Sequence, residues 1–141
     1  MNMKIRALVI ALVPLVGAVA GCSSGPGGHG QEPPQKGTLE DVAELLRAGT
    51  RPNGRGPANL AALAKLRSMY YRGYDAIKSG EVVVLWGYGV KGEGEMAKGG
   101  GEVIAYAKDA PTNGGYVLLS SGEVKQMSAA EFAAAPKTGK K

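Results

Sequence analysis

The sequence predicts an α+β domain: two N-terminal helices, then a small antiparallel sheet of three or four strands, then a short C-terminal helix. Three observations predict it. Apolar residues recur at helical spacing between 39 and 69, short β-branched runs replace them from 81 onward, and a small capped apolar segment closes the chain. Helices followed by consecutive strands is an α+β order, whereas parallel β-α-β units would alternate the two.

The first 21 residues stand apart from that domain as a signal peptide. Lys4 and Arg6 form a basic start, an apolar run covers 7–20, and it stops at Val19-Ala20-Gly21-Cys22. The run is too short and wrongly flanked for a stop-transfer span. Its end resembles the bacterial lipobox, an aliphatic residue and two small residues before a cysteine. That resemblance implies a lipoprotein in which Cys22 receives a thioether-linked diacylglycerol and becomes the mature N-terminus. The rival reading is a free thiol after cleavage at Ala20. Ser23 after the cysteine implies no inner-membrane retention. The expected location is then the cell envelope, lipid-anchored at the outer rather than the inner membrane, facing the periplasm or the surface.

Composition narrows the function classes. Loss of Lys4 and Arg6 with the signal lowers 17 basic side chains to 15 against 12 acidic ones, a formal +3. That excess supports weak attraction to anionic surfaces and no more. Cys22 is the only cysteine, so once it is lipidated neither a disulfide nor thiol chemistry remains. With 23 glycines, one Trp and one Phe, the core must be small and built from Val, Leu, Ile, Ala and Tyr.

Residues 22–37 read as the lipidated cysteine and a flexible tether, because SSGPGGHGQEPPQKG has no apolar anchor. The domain then covers 38–135. Its first helix is expected over 39–48, with Thr38 as N-cap, Asp41 completing a capping-box-like pair, Leu39, Val42, Leu45 and Leu46 on one face, and Gly49 as the stop. TRPNGRG at 50–56 is a loop. A second helix starts at Pro57 and carries Leu60, Leu63, Ala64 and Leu66 toward Met69. Gly73 interrupts it, and 74–78 forms one further turn.

Strands are expected at 81–86, 102–107, 115–120 and 122–127, the last two joined through Ser120-Ser121-Gly122. Gly114, Gly115 and Gly122 are read as structural turn positions. Ser128 with Glu131 forms a capping box for a helix over 129–135, and Pro136 stops it. The tail 136–141 is basic and expected to be disordered.

Gly87, Gly89 and Gly92 match G-x-G-x-x-G after a strand. A dinucleotide site needs a helix next, to aim its amides at the pyrophosphate, and EGEMAKGGGE is a poor helix. The arrangement loosely resembles a kinase phosphate loop, but no His-Arg-Asp element follows. A mobile hairpin loop over 87–101, in which glycine is tolerated because nothing packs on it, is the preferred reading.

Arg47, Arg51, Arg55, Arg67 and Arg72, with Lys65 and Tyr70, Tyr71 and Tyr74 among them, could contact an anionic ligand. An envelope location favours lipid headgroups or anionic glycans over nucleic acid. Catalysis is not expected. Ser120, Ser121 and Ser128 have no histidine to activate them, since His29 sits in the tether. Glu93, Glu95 and Glu102 lie in or beside the glycine loop, a poor platform for fixed geometry. No metal-ligand spacing appears, so no metal or cofactor is expected.

From 103 to 135 the order Val103-Ile104-Ala105-Tyr106-Ala107-Lys108-Asp109-Ala110-Pro111, Gly114-Gly115-Tyr116-Val117-Leu118-Leu119, Ser121-Gly122-Glu123-Val124-Lys125 and Met127-Ser128-Ala129-Ala130-Glu131-Phe132 is similar to the C-terminal part of the pseudopilin-like exported proteins of planctomycetes. Two departures stand out: Ser121 replaces the Asp of the family's Asp-Gly signature, and the signature His is missing. A pseudopilin also keeps its hydrophobic helix to polymerise, whereas processing at Cys22 would remove this one. The resemblance implies a small pilin-like domain, not filament assembly. The expected role is a non-catalytic interaction or structural module on the membrane, with an envelope protein as partner.

Overall fold

A computed structural model describes residues 34–91 and 101–139 of the chain. The signal segment 1–21, Cys22, His29, Glu93, Glu95 and most of the tether lie outside the described residues, as do 92–100 and 140–141. Within them the protein is α+β, with a four-stranded antiparallel sheet in the order β1-β2-β3-β4.

Helix α1 spans Pro34–Gly49. It takes in four residues assigned to the tether, because Pro34 stands at the first helical position, where its missing N–H costs nothing. Thr38 is therefore inside the helix rather than its cap. Leu39, Val42, Leu45 and Leu46 are fully buried and form the seam that lies on the sheet.

The next segment is a 3-10 helix over Leu60–Leu66, started by the Asn59 side chain, which accepts from the Ala62 amide at 3.1 Å. It is not the α-helix from Pro57 that the spacing suggests, and only Leu63 of it is buried. Helix α2 runs Tyr71–Ser79 with Gly73 in its first turn, so Gly73 does not interrupt a helix. A Cβ at Gly73 would stand 2.9 Å from the Asp41 carbonyl carbon and the Val42 nitrogen, so glycine is what lets α2 approach α1. Asp41 accepts from the Gly73 amide at 2.6 Å, and so caps α2 rather than its own helix.

The strands are β1 Val82–Val84, β2 Val103–Ala107, β3 Gly115–Leu119 and β4 Val124–Met127. β2 pairs with β1 as Val83↔Tyr106 and with β3 as Tyr106↔Val117. A register shift between Val103 and Ala105 breaks the alternation of faces. Ile104 and Ala105 consequently both join the α1 side of the core, while Val103 and Tyr106 face the other side.

Between β2 and β3 the chain forms a one-turn helix, α3, over Ala110–Asn113, with Pro111 early in it. Gly114 ends that turn at φ 75°, and a Cβ there would come within 2.8 Å of the Met127 carbonyl oxygen. Gly115 is not a turn residue: it opens β3 opposite Met127. Gly122, at φ 90°, closes the β3–β4 turn by donating its amide to Leu119 at 2.9 Å.

Helix α4, Ala129–Ala134, covers the second face of the sheet. Its capping box is formed: Glu131 donates its amide to Ser128 Oγ at 3.2 Å, and Ser128 donates its own to Glu131 Oε2 at 2.7 Å. Phe132 packs there with Val103, Val117 and Leu119, its ring 4.8 Å from that of Tyr106 at 60°.

Residues 136–139 are docked rather than frayed. Val103 donates its amide to the Pro136 carbonyl at 2.8 Å, and the Thr138 hydroxyl donates to the Val103 carbonyl at 3.2 Å. The bulged start of β2 pairs with β3 on one side, and the tail bridges Val103 on the other, beyond the end of β1.

Candidate functional site

The five predicted arginines fall into two groups. Arg47, Arg51 and Arg55 stand at the C-terminal end of α1 and on the loop after it. Arg67 and Arg72 flank the start of α2. Arg72 Nη1 lies 3.2 Å from where a Cβ on Gly37 would stand, whereas Arg47 is ten positions further along α1, roughly 15 Å of helical rise. The structure does not gather all five into one patch.

The first group is held on a folded loop. Thr50 donates its hydroxyl to the Leu46 carbonyl at 2.8 Å, extending the helix end. Arg51 and Arg55 then close a turn, with the Arg51 amide donating to the Arg55 carbonyl at 2.9 Å and Gly54 at φ 76°. The loop is zipped to the start of the glycine-rich segment: Gly87 donates to the Pro57 carbonyl at 2.9 Å, and Arg55 bridges Tyr88. A Cβ at Gly56 would lie 2.1 Å from the Tyr88 oxygen, and one at Gly89 would lie 2.7 Å from the Thr50 side chain. Gly89 is thus required by close packing, which corrects the expectation that nothing packs on this loop.

Between 51–54 and 89–91 this zipper leaves a cleft of ≈ 610 Å³ with Arg51 and Lys91 in its lining. Arg47 stands beside it. Its Nη2 and the Val90 Cγ1 lie 2.7 and 3.1 Å from where a Cβ on Gly122 would be, so Gly122 serves both the turn and the room for this guanidinium. Arg47 is ion-paired with Glu44. Arg51, Arg55 and Lys91 have no ion-pair partner among the described residues. Such cations suit a carboxylate, phosphate or sulfate, and guanidinium can take it in bidentate fashion. Sequence reasoning missed Lys91, because only the packing of Gly89 on Thr50 brings it opposite Arg51.

In the second group, Arg67 donates from Nε to Asp75 Oδ1 at 3.1 Å, its Nη2 forms an ion pair with the same oxygen at 3.0 Å, and its guanidinium lies over the Tyr74 ring, 5.6 Å from its centroid. Arg72 has no ion-pair partner among the described residues. Between them Met69 and Tyr71 are 64% and 65% exposed, while Tyr70 and Tyr74 pack inward against the core.

The serines considered for hydrolysis are placed structurally. Ser128 is a helix cap, Ser121 accepts from the Glu123 amide at 3.4 Å, and Ser120 is buried with no hydrogen-bond partner for its hydroxyl among the described residues. Glu102 is exposed beside β2. Among the described residues no group of three metal-ligating side chains converges, and no helix is long and apolar enough to cross a membrane. No family model matches the chain, and neither a curated protein nor a solved structure matches it.

Proposed function

We propose that this chain is a lipid-anchored lipoprotein of the cell envelope whose α+β domain acts as a non-catalytic interaction module. The observation that carries the reading is Val19-Ala20-Gly21-Cys22 at the end of a short apolar run, followed by a Gly/Pro/Ser-rich tether that leads to a packed domain. The finer likeness proposed is to a pilin-like domain stripped of its polymerising helix. It is supported by a long first helix laid across an antiparallel sheet and by the hairpin at 115–127. The proposed location is the outer membrane, facing the periplasm or the surface, with a second envelope protein as partner.

A second reading is favoured by the cleft at the C-terminal end of α1. There Arg51 and Lys91, with Arg47 at the edge and Arg55 on the same loop, would bind an anionic glycan or lipid headgroup. Recovery of the full-length chain from its own envelope, with Cys22→Ala as control, tests the first reading. A single protein recovered at near-equal amount supports the interaction module. A folded domain that recovers no protein contradicts it and moves the weight to the cleft.

A further inference from the structure

We propose that the surface formed by Met69, Tyr71 and Arg72 seats on an anionic phospholipid bilayer and fixes how the anchored domain stands on its membrane. This rests on the lipid-anchor reading and adds an orientation to it.

Met69 and Tyr71 are the two most exposed large apolar side chains described, and they are two residues apart at the junction of the 3-10 helix and α2. Tyr70 between them packs against the core, while the residues on either side of it stay exposed. An exposed apolar pair on a folded surface marks a contact more often than an isolated residue does, and a tyrosine ring suits the headgroup level, where one end is apolar and the other wet.

The charges beside the pair favour an anionic surface. Lys65 and Arg72 have no ion-pair partner among the described residues, whereas each nearby carboxylate is engaged. Asp75 is held by Arg67, Glu40 by Lys36, and Asp41 by the Gly73 amide. Arginine and lysine stems can lie along the membrane with their heads at the phosphates.

The position of the patch supplies the geometry. Arg72 lies against Gly37, within the first turn of α1, which begins at Pro34. The chain from Cys22 to Pro34 spans at most about 40 Å when fully extended, longer than the roughly 24 Å of α1, so an anchor at Cys22 keeps the domain within reach of the bilayer and the patch decides which end faces it. The basic cleft, at the other end of α1, would then point away from the anchor and stay open to ligands.

The test uses the chain purified from its own membranes and mixed with phosphatidylglycerol or phosphatidylcholine vesicles. Tyr71→Trp reports the patch and Ala133→Trp, on α4 across the sheet, reports the opposite face; the unaltered chain, with Trp86 alone, is the blank. In anionic vesicles the emission of the Tyr71→Trp protein shifts to the blue and is quenched by brominated lipid tails, and that of Ala133→Trp is not. Lys65→Gln and Arg72→Gln each weaken the seated state by about five-fold, and high salt abolishes it. Emission from position 71 that is the same in anionic, neutral and no vesicles overturns the proposal. Flotation with the vesicles, compared with Cys22→Ala, reports the anchor separately. A chain that floats with position 71 in water removes the patch and keeps the anchor. Flotation and quenching at 71 that are the same in Cys22→Ala as in the native chain remove the anchor and keep the patch.

Discussion

Asp41 Oδ2 accepts a 2.6 Å hydrogen bond from the Gly73 amide, across the closest approach of α1 and α2. One carboxylate thereby does what Tyr70, the residue before α2, cannot, since Tyr70 makes no side-chain cap bond. The glycine and the aspartate depend on each other: a side chain at 73 would push away the helix that carries the cap.

Gly73→Ala is therefore expected to destabilise the domain by about 1–3 kcal/mol through overpacking, despite the better helix propensity of alanine. Asp41→Ala should cost about 1–2 kcal/mol through the lost cap. Urea melts of the single and double variants check this. The double variant should lose less than the sum, because the bond is absent once either partner changes. Strict additivity would show that the two positions act separately.

The α4 capping box has a pH signature. The Ser128 amide, and then its hydroxyl, hold the Glu131 carboxyl below its ordinary value of 4.5. A carboxyl lowered in the folded state stabilises it above the unfolded value and ceases to do so as the pH falls through the folded one. The stability gap between the native chain and Glu131→Gln should accordingly be present at pH 7 and shrink below about pH 4.5. A gap that is constant from pH 7 to pH 3 would contradict the role of charge. Ser128→Ala should cost about 1 kcal/mol at neutral pH.

Lys137 fastens the tail. Its Nζ donates to the Phe132 and Ala135 carbonyls at 2.5 and 3.1 Å and stands 4.3 Å from the Phe132 ring centroid. Lys137→Met keeps much of the apolar stem and removes both donors and the charge. A loss of about 1–2 kcal/mol should appear as a 5–30-fold faster hydrogen exchange at the Val103 amide, which bonds Pro136. Unchanged exchange there would mean that the tail holds without its lysine.

For the cleft, Arg51→Gln with Lys91→Gln should weaken binding of a sulfated or carboxylated polysaccharide about ten-fold or more, and raised salt should weaken it in the native chain. Arg67→Gln, in the other group and already paired with Asp75, should change that binding little. Equal losses from both changes would mean that the protein binds by net charge alone.

These residues also show what a sequence can carry. The seam of Leu39, Val42, Leu45 and Leu46, the four strands and the Ser128–Glu131 box were legible because each is a local pattern of spacing or capping. Gly73 was misread because a glycine that breaks a helix and one that admits a neighbouring helix look alike until the neighbour is placed. The tail was misread for the same reason, since its partner, Val103, is more than thirty residues away. Of the cleft, the arginines were visible as a basic run, but their division between the two ends of α1 depends on where α2 crosses it.

Metabolic labelling with a fatty-acid analogue shows whether Cys22 carries the proposed lipid anchor. The native chain should take up the label, and Cys22→Ala should abolish the uptake. A native chain that stays unlabelled, or label that persists in Cys22→Ala, would contradict the proposal.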